Sequence, residues 1–200
     1  MSAQRLITEW VNFEYDPKLI KEQIEAGEPL MMKGILQKAE TLNQNGRIYP
    51  KAILEREIRN YQKFIKENRA LGELDHPDSS VVELKNASHT VREAYMDGDI
   101  VYGTVEILNT PSGKLLQSLV ESGITLGISS RGVGSTKSKG DMQIVQDDFQ
   151  LICWDFVSEP STPGAFMMKE GKEVSSQFIN EVFNKTDRID RIFNDIMEWK

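Results

Sequence analysis

The chain has 200 residues, 39% of them hydrophobic and 28% charged, with a formal net charge of −7 and an isoelectric point near 5.0. A chain of this size buries roughly 70% of its unfolded surface and needs no metal or disulfide clamp. Its single cysteine, Cys153, excludes an internal disulfide and leaves little for a zinc site beside His76 and His89. The acidic balance repels a phosphate backbone, and no apolar run approaches the ~20 residues of a membrane span. Met1 to Trp10 lacks the continuous apolar stretch of a signal peptide, so the expectation is an intracellular protein that binds neither nucleic acid nor membrane.

Residues 1–29 mix aromatic and charged side chains up to Gly27-Glu28-Pro29 and read as a peripheral segment. From Leu30 a strand runs into the turn formers Asn43-Gln44-Asn45-Gly46-Arg47. Pro50 opens a helix, because Leu54, Ile58, Tyr61 and Ile65 recur at spacings of 4, 3 and 4 along one stripe. A short run from Ala70 is closed by Pro77. Thr90 to Met96 and Ile100 to Leu108 then form a hairpin about Asp97-Gly98-Asp99. Thr110 caps a second helix with Leu115, Leu116, Leu119 and Val120 on one face, ended by Gly123. Ile124 to Ser135 reads as a strand, Lys139-Gly140-Asp141 turns into Met142 to Val145, and Phe149 to Val157 is the antiparallel partner. From Ser175, two amphipathic blocks form a helical tail.

Alternation locates the candidate chemistry. In the strand after Ile124, Ser129 and Arg131 share a face, whereas Ser130 falls on the apolar side as a hydroxyl satisfied by the backbone. A serine becomes a nucleophile when a base takes its proton, and a nearby cation or N–H stabilises the resulting oxyanion. Ser129 fits the first role and Arg131 the second. His76, in Gly72-Glu73-Leu74-Asp75-His76-Pro77, stands at a strand-to-loop junction with a side chain suited to proton transfer near neutrality. His89 has no such company and reads as structural. Asp155 lies on the face of Leu151, Cys153 and Val157, with Ile152, Trp154 and Phe156 opposite. A carboxylate in a strand covered on both sides needs a partner: His76, Arg131 or backbone N–H groups. Asp75, adjacent to His76, diverges from it. Periodicity alone also accommodates Ser129 and Arg131 on a merely polar strand face.

Four ordered blocks add a further reading. Asn43 to Pro50, Gly72 to Pro77, Gly127-Ile128-Ser129-Ser130-Arg131-Gly132, and Asp155 with Pro160-Ser161-Thr162-Pro163-Gly164-Ala165 resemble the prohead (procapsid maturation) serine proteases of tailed phages, particularly the T4-like branch. The resemblance spans about residues 30 to 168. It implies an α+β fold related to herpesvirus assemblins, a mainly antiparallel β-barrel-like sheet surrounded by helices. By position Ser129 resembles the nucleophile and His76 the general base; Asp155 stands where the herpesvirus relatives carry a second histidine. The implied substrates are phage scaffold and capsid proteins, cut after Glu inside the procapsid in the host cytoplasm, with no cofactor. Gln23-Ile24-Glu25-Ala26-Gly27 and Leu119-Val120-Glu121-Ser122 are the candidate self-cleavage segments.

The expected organisation is a peripheral segment (1–29), a protease domain (30–168) and a helical tail (169–200) that caps the core, docks on scaffold or makes a homo-oligomer. Two rival readings are a non-enzymatic capsid or tail-tube-like assembly protein of the same fold, and a metal-dependent hydrolase using Asp75, His76 and Asp78. The first predicts no convergence of Ser129 with His76. The second is poorly supplied with ligands.

Overall fold

A computed structural model of the chain describes residues 5–12, 22, 27, 29–77, 79–124 and 126–158, the first stretch by backbone alone. The chain divides into two units, Met1–Lys169 and Glu170–Lys200, and every described residue belongs to the first. The amphipathic tail blocks, the Pro160 to Ala165 motif, Asp78 and residues 23–26 lie outside the described residues.

Strands and helices combine in a mixed α+β fold whose sheets are mostly antiparallel. One sheet places β7 (Gly127–Gly134) between β1 (Arg5–Asn12) and β10 (Gln150–Val157), antiparallel to both. A second has the order β2 (Met31–Lys38), β6 (Ile100–Ile107), β5 (Ala87–Asp97), β4 (Leu71–Glu73), all antiparallel. A third joins β3 (Arg47–Ile48) in parallel to β9 (Met142–Val145), which pairs antiparallel with β8 (Thr136–Lys139). The first two sheets meet at a seam, where Leu74 bridges in parallel to Phe156 and the Asp75 N–H donates to the Phe156 carbonyl at 2.7 Å. None of the described helices is long and apolar enough to cross a membrane.

Helix α1 (Lys51–Lys66) follows Pro50 and buries Leu54, Ile58 and Tyr61 of the expected stripe, with Ile65 half-buried at the margin and Ile53 buried in addition. The same stripe contains a buried carboxylate, Glu57. Its partner lies in β10, an edge strand of its sheet with a β-bulge between Leu151 and Cys153: Glu57 Oε2 accepts the Leu151 N–H at 2.9 Å. The bulge also corrects an expectation: strict alternation puts Leu151 on the face of Asp155, but Leu151 joins the apolar core with Trp154 and Phe156.

Helix α2 (Pro111–Glu121) begins at Thr110, whose hydroxyl accepts the Gly113 N–H at 3.0 Å, and Gly123 follows it with φ +73°, a left-handed conformation natural to glycine. Leu116 and Val120 are buried, but Leu115, expected on the same face, is exposed; at i−1 from Leu116 it is rotated about 100° around the helix. Ile124, expected in the next strand, precedes it and is exposed. The N-terminal residues contain an element that the sequence does not announce, since β1 pairs with β7 along all eight of its residues. The core is built around edge-to-face aromatic pairs, Tyr61 on Trp154 at 4.8 Å and Tyr49 on Phe149 at 5.4 Å, each worth roughly 1 kcal/mol beyond burial.

Candidate active site

Three strands from two sheets position the candidate groups. Ser129 and Asp155 are direct cross-strand partners on β7 and β10, and Arg131 and Cys153 are the next pair on the same face. Cross-strand partners have Cβ atoms about 5 Å apart, so four chemically capable side chains converge from the pairing alone. Trp154, opposite Ser130, points into the core instead. Ser130 lies buried on that side, and its hydroxyl has no hydrogen-bond partner among the described residues; the expected backbone partner is not there.

His76 arrives from β4. Gly72 lets β4 press close: a Cβ there would lie 2.1 Å from the Trp154 carbonyl and 2.4 Å from the His89 ring. After the Leu74 bridge, Asp75 takes a left-handed conformation, φ +65°, which a short polar residue tolerates better than most. Asp75 is exposed, whereas His76 comes to lie over the face of β7 and β10. His76 Nδ1 is 2.7 Å from Asp155 Oδ2 and Nε2 is 2.5 Å from Ser129 Oγ.

The protonation pattern follows. Burial alone pushes the Asp155 pKa up, but the hydrogen bond from His76, the charge of Arg131 and the Glu73 N–H together hold it below its ordinary value. An ionised carboxylate only accepts, so Nδ1 carries the proton and donates to Asp155, which leaves Nε2 as the acceptor facing the Ser129 hydroxyl. Ser129 and Asp155 are fully buried, and the His76 side chain keeps 15% of its exposure. Solvent reaches the trio from the imidazole side.

Arg131 is placed differently from the oxyanion role expected of it. It is fully buried, with Nη2 2.6 Å from Glu73 Oε2 and 3.2 Å from Asp155 Oδ1, and Nη1 donating to the Ser79 carbonyl at 2.9 Å. Nε sits 2.8 Å from Asp155 Oδ2 without the alignment of a hydrogen bond, a Coulombic contact. The guanidinium thus stands behind the carboxylate and is committed to it. Glu73, which sequence reasoning passed over, is also fully buried; its N–H donates to Asp155 Oδ1 at 2.9 Å and its Oε1 accepts the Glu83 N–H at 2.6 Å. Its signal in the sequence is the same kind as that of Asp155, a charge between apolar neighbours in a short strand.

His89 sits on the other side of β4. Its Nε2 donates to the Trp154 carbonyl and its Nδ1 accepts from the Ser88 hydroxyl, each at 2.9 Å, and burial pushes its pKa down to about 4 against smaller opposing effects of Asp155 and the Trp154 carbonyl. Among the described residues, no cluster of three or more His, Cys, Asp or Glu side chains is arranged to hold a metal ion.

Comparison with known proteins gives a family and a related fold. The family described as prohead core protein serine protease matches residues 17–177. The chain is similar to the prohead core protein protease of Enterobacteria phage T4, 33% identical over 164 residues that cover 79% of this chain and 76% of that protein. It is also similar to the solved structure of the bacteriophage T4 capsid assembly protease, with a TM-score of 0.68 and 27% identity over 80% of this chain and all of the other.

Proposed function

The chain belongs to the prohead core protein serine protease family, and from that premise we propose that it is a serine endopeptidase in which Ser129 is the nucleophile, His76 the general base and Asp155 the orienting carboxylate. The observation that carries this reading is the continuous chain of contacts from Ser129 Oγ through both nitrogens of His76 to Asp155. In the acylation step, Ser129 Oγ attacks the scissile carbonyl carbon while Nε2 takes its proton. The tetrahedral intermediate then collapses as Nε2 gives that proton to the leaving amine, and water releases the acyl group by the same route in reverse. Asp155 keeps the imidazole in the productive tautomer and supports its charged form. The Arg131 guanidinium is spent on Asp155 and Glu73 and is not free to stabilise the oxyanion.

The substrates proposed are phage scaffold and capsid proteins, cut after Glu inside the procapsid during infection of the host; the family supports this setting, and the preference for Glu follows the resemblance alone. The protease domain in this reading reaches back beyond residues 30–168, since β1 is a strand of the sheet that carries Ser129 and the expected peripheral segment 1–29 thus contributes to it; 169–200 is an accessory tail, and the Leu74–Phe156 seam is the contact from which a barrel-like closure akin to the herpesvirus enzymes is inferred. Self-processing is proposed at Glu25. The segment at Glu121 ends α2, whose helical backbone must unwind before it fits an active site that needs an extended peptide. A non-enzymatic shell subunit has no use for the Ser129, His76 and Asp155 alignment.

The test is cleavage of purified scaffold and capsid proteins, followed by intact mass. Wild-type protein should produce fragments ending in Glu, and Ser129→Ala should lower the rate by at least about 10³-fold. Equal cleavage by both would overturn the proposal.

A further inference from the structure

Two fully buried charges stand behind the proposed triad and take no part in acyl transfer, Arg131 and Glu73. A buried ion pair is a poor stabiliser, because well-packed apolar residues often do as well or better. The arrangement has a second consequence in charge. Alone, Arg131 would cancel Asp155, and a guanidinium whose Nε lies 2.8 Å from the oxygen that binds His76 would oppose a positive charge on that imidazole. Glu73, 2.6 Å from Arg131 on its other side, returns the cluster to one net negative charge. When His76 takes the Ser129 proton, the buried assembly becomes neutral rather than positive.

We propose that Glu73 is a positioning residue of the active site, which neutralises Arg131 so that Asp155 supports the imidazolium form of His76, and which ties down the loop that carries His76. The loop is fastened at three points: the Glu73 backbone on Asp155, the Ser79 carbonyl on Arg131, and the Glu83 N–H on Glu73 Oε1. This inference rests on His76 being the general base.

The neighbouring titratable groups leave the charge count to these residues. Cys153, whose thiol burial keeps protonated, donates to Asp155 Oδ1 at 3.3 Å. Tyr61 on α1 is neutral, and His89 on β5 is neutral above about pH 4. At the loop's surface Glu83 pairs with Lys85 at 2.8 Å, and Asp75 is in solvent.

The experiment is an NMR titration of the full chain carrying Ser129→Ala, which prevents autolysis. The chain has two histidines, so His89 serves as the internal reference. Adding Glu73→Gln should lower the His76 pKa by about one unit, Arg131→Met should raise it, and the two together, which restore the original charge, should return it to the starting value. Glu73→Asp should rescue most of the shift. A folded Glu73→Gln protein with an unchanged His76 pKa overturns the proposal. If that variant does not fold, a double variant no closer to the starting value than Arg131→Met overturns it equally. With Ser129 intact, Glu73→Gln should lower kcat about tenfold at constant KM and move the acid limb of kcat/KM to lower pH by the same shift. Turnover plays no part in the titration, so an intact protein that cleaves nothing would sink the protease reading while the coupling of Glu73 to His76 stood or fell separately.

Discussion

The two histidines lie on opposite sides of the same short strand, β4, and each bonds through both ring nitrogens. His76 lies between a carboxylate and a hydroxyl, with part of its ring in solvent. His89 lies between a hydroxyl and a peptide carbonyl, fully buried, with its ring edge-to-face on Phe156 at 4.8 Å. The pattern of hydrogen bonds is nearly the same; the formal charge of Asp155 is the difference. A carbonyl fixes a tautomer but does little for an imidazolium, whereas an ionised carboxylate does both. A histidine's capacity for proton transfer is thus set by what stands behind it.

Replacing each histidine in turn should have the largest effects. His76→Ala should cost about 10⁴-fold in kcat with little change in unfolding free energy. Asp155→Asn should follow at about 10²–10⁴-fold, because an amide supports the imidazolium poorly, and it should also destabilise the fold by weakening the buried hydrogen bonds that Asp155 accepts from the Glu73 N–H and Arg131. His89→Ala should do the reverse of His76→Ala, costing about 2–4 kcal/mol in chemical denaturation through a cavity and an unpaired Trp154 carbonyl, while the folded fraction keeps its kcat. Equal loss of kcat in both histidine variants would erase the distinction.

Acid sharpens it further. The unfolded chain binds a proton at His89 near pH 6.5, but the folded chain resists until about pH 4. Between those values the unfolded state holds the extra proton, so stability falls as pH falls, by about 3 kcal/mol in all, and levels off below pH 4. Asp155 is displaced in the same direction but at lower pH: its folded pKa is depressed, so its contribution is complete above its ordinary value and is lost as pH drops below that. Urea midpoints measured from pH 7 to pH 3 should show both steps, and His89→Gln should remove the upper one.

Much of this was legible in the sequence, and what was not has a common cause. The stripe of α1, the hairpin at Gly98 and the cap at Thr110 are local patterns, and alternation put Ser129, Arg131 and Asp155 on faces that the sheet does turn toward one another. Alternation failed at Leu151 because a bulge belongs to a pair of strands rather than to either one. The pairing of β1 with β7, the pressing of Gly72 onto His89 and the burial of Glu73 beside Arg131 likewise join residues far apart in the chain. Leu115 was misplaced for a smaller reason: four leucine and valine positions span more of a helix than one face can bury.

The seam between the two sheets also offers a way to watch the molecule work. The Asp75 amide, bonded to the Phe156 carbonyl immediately before His76, stays shielded from solvent only while the sheets remain joined. Its rate of deuterium uptake therefore reports, on a single signal, the fraction of molecules in which imidazole and carboxylate are held together, and gives the proposed catalytic arrangement one measurable opening equilibrium.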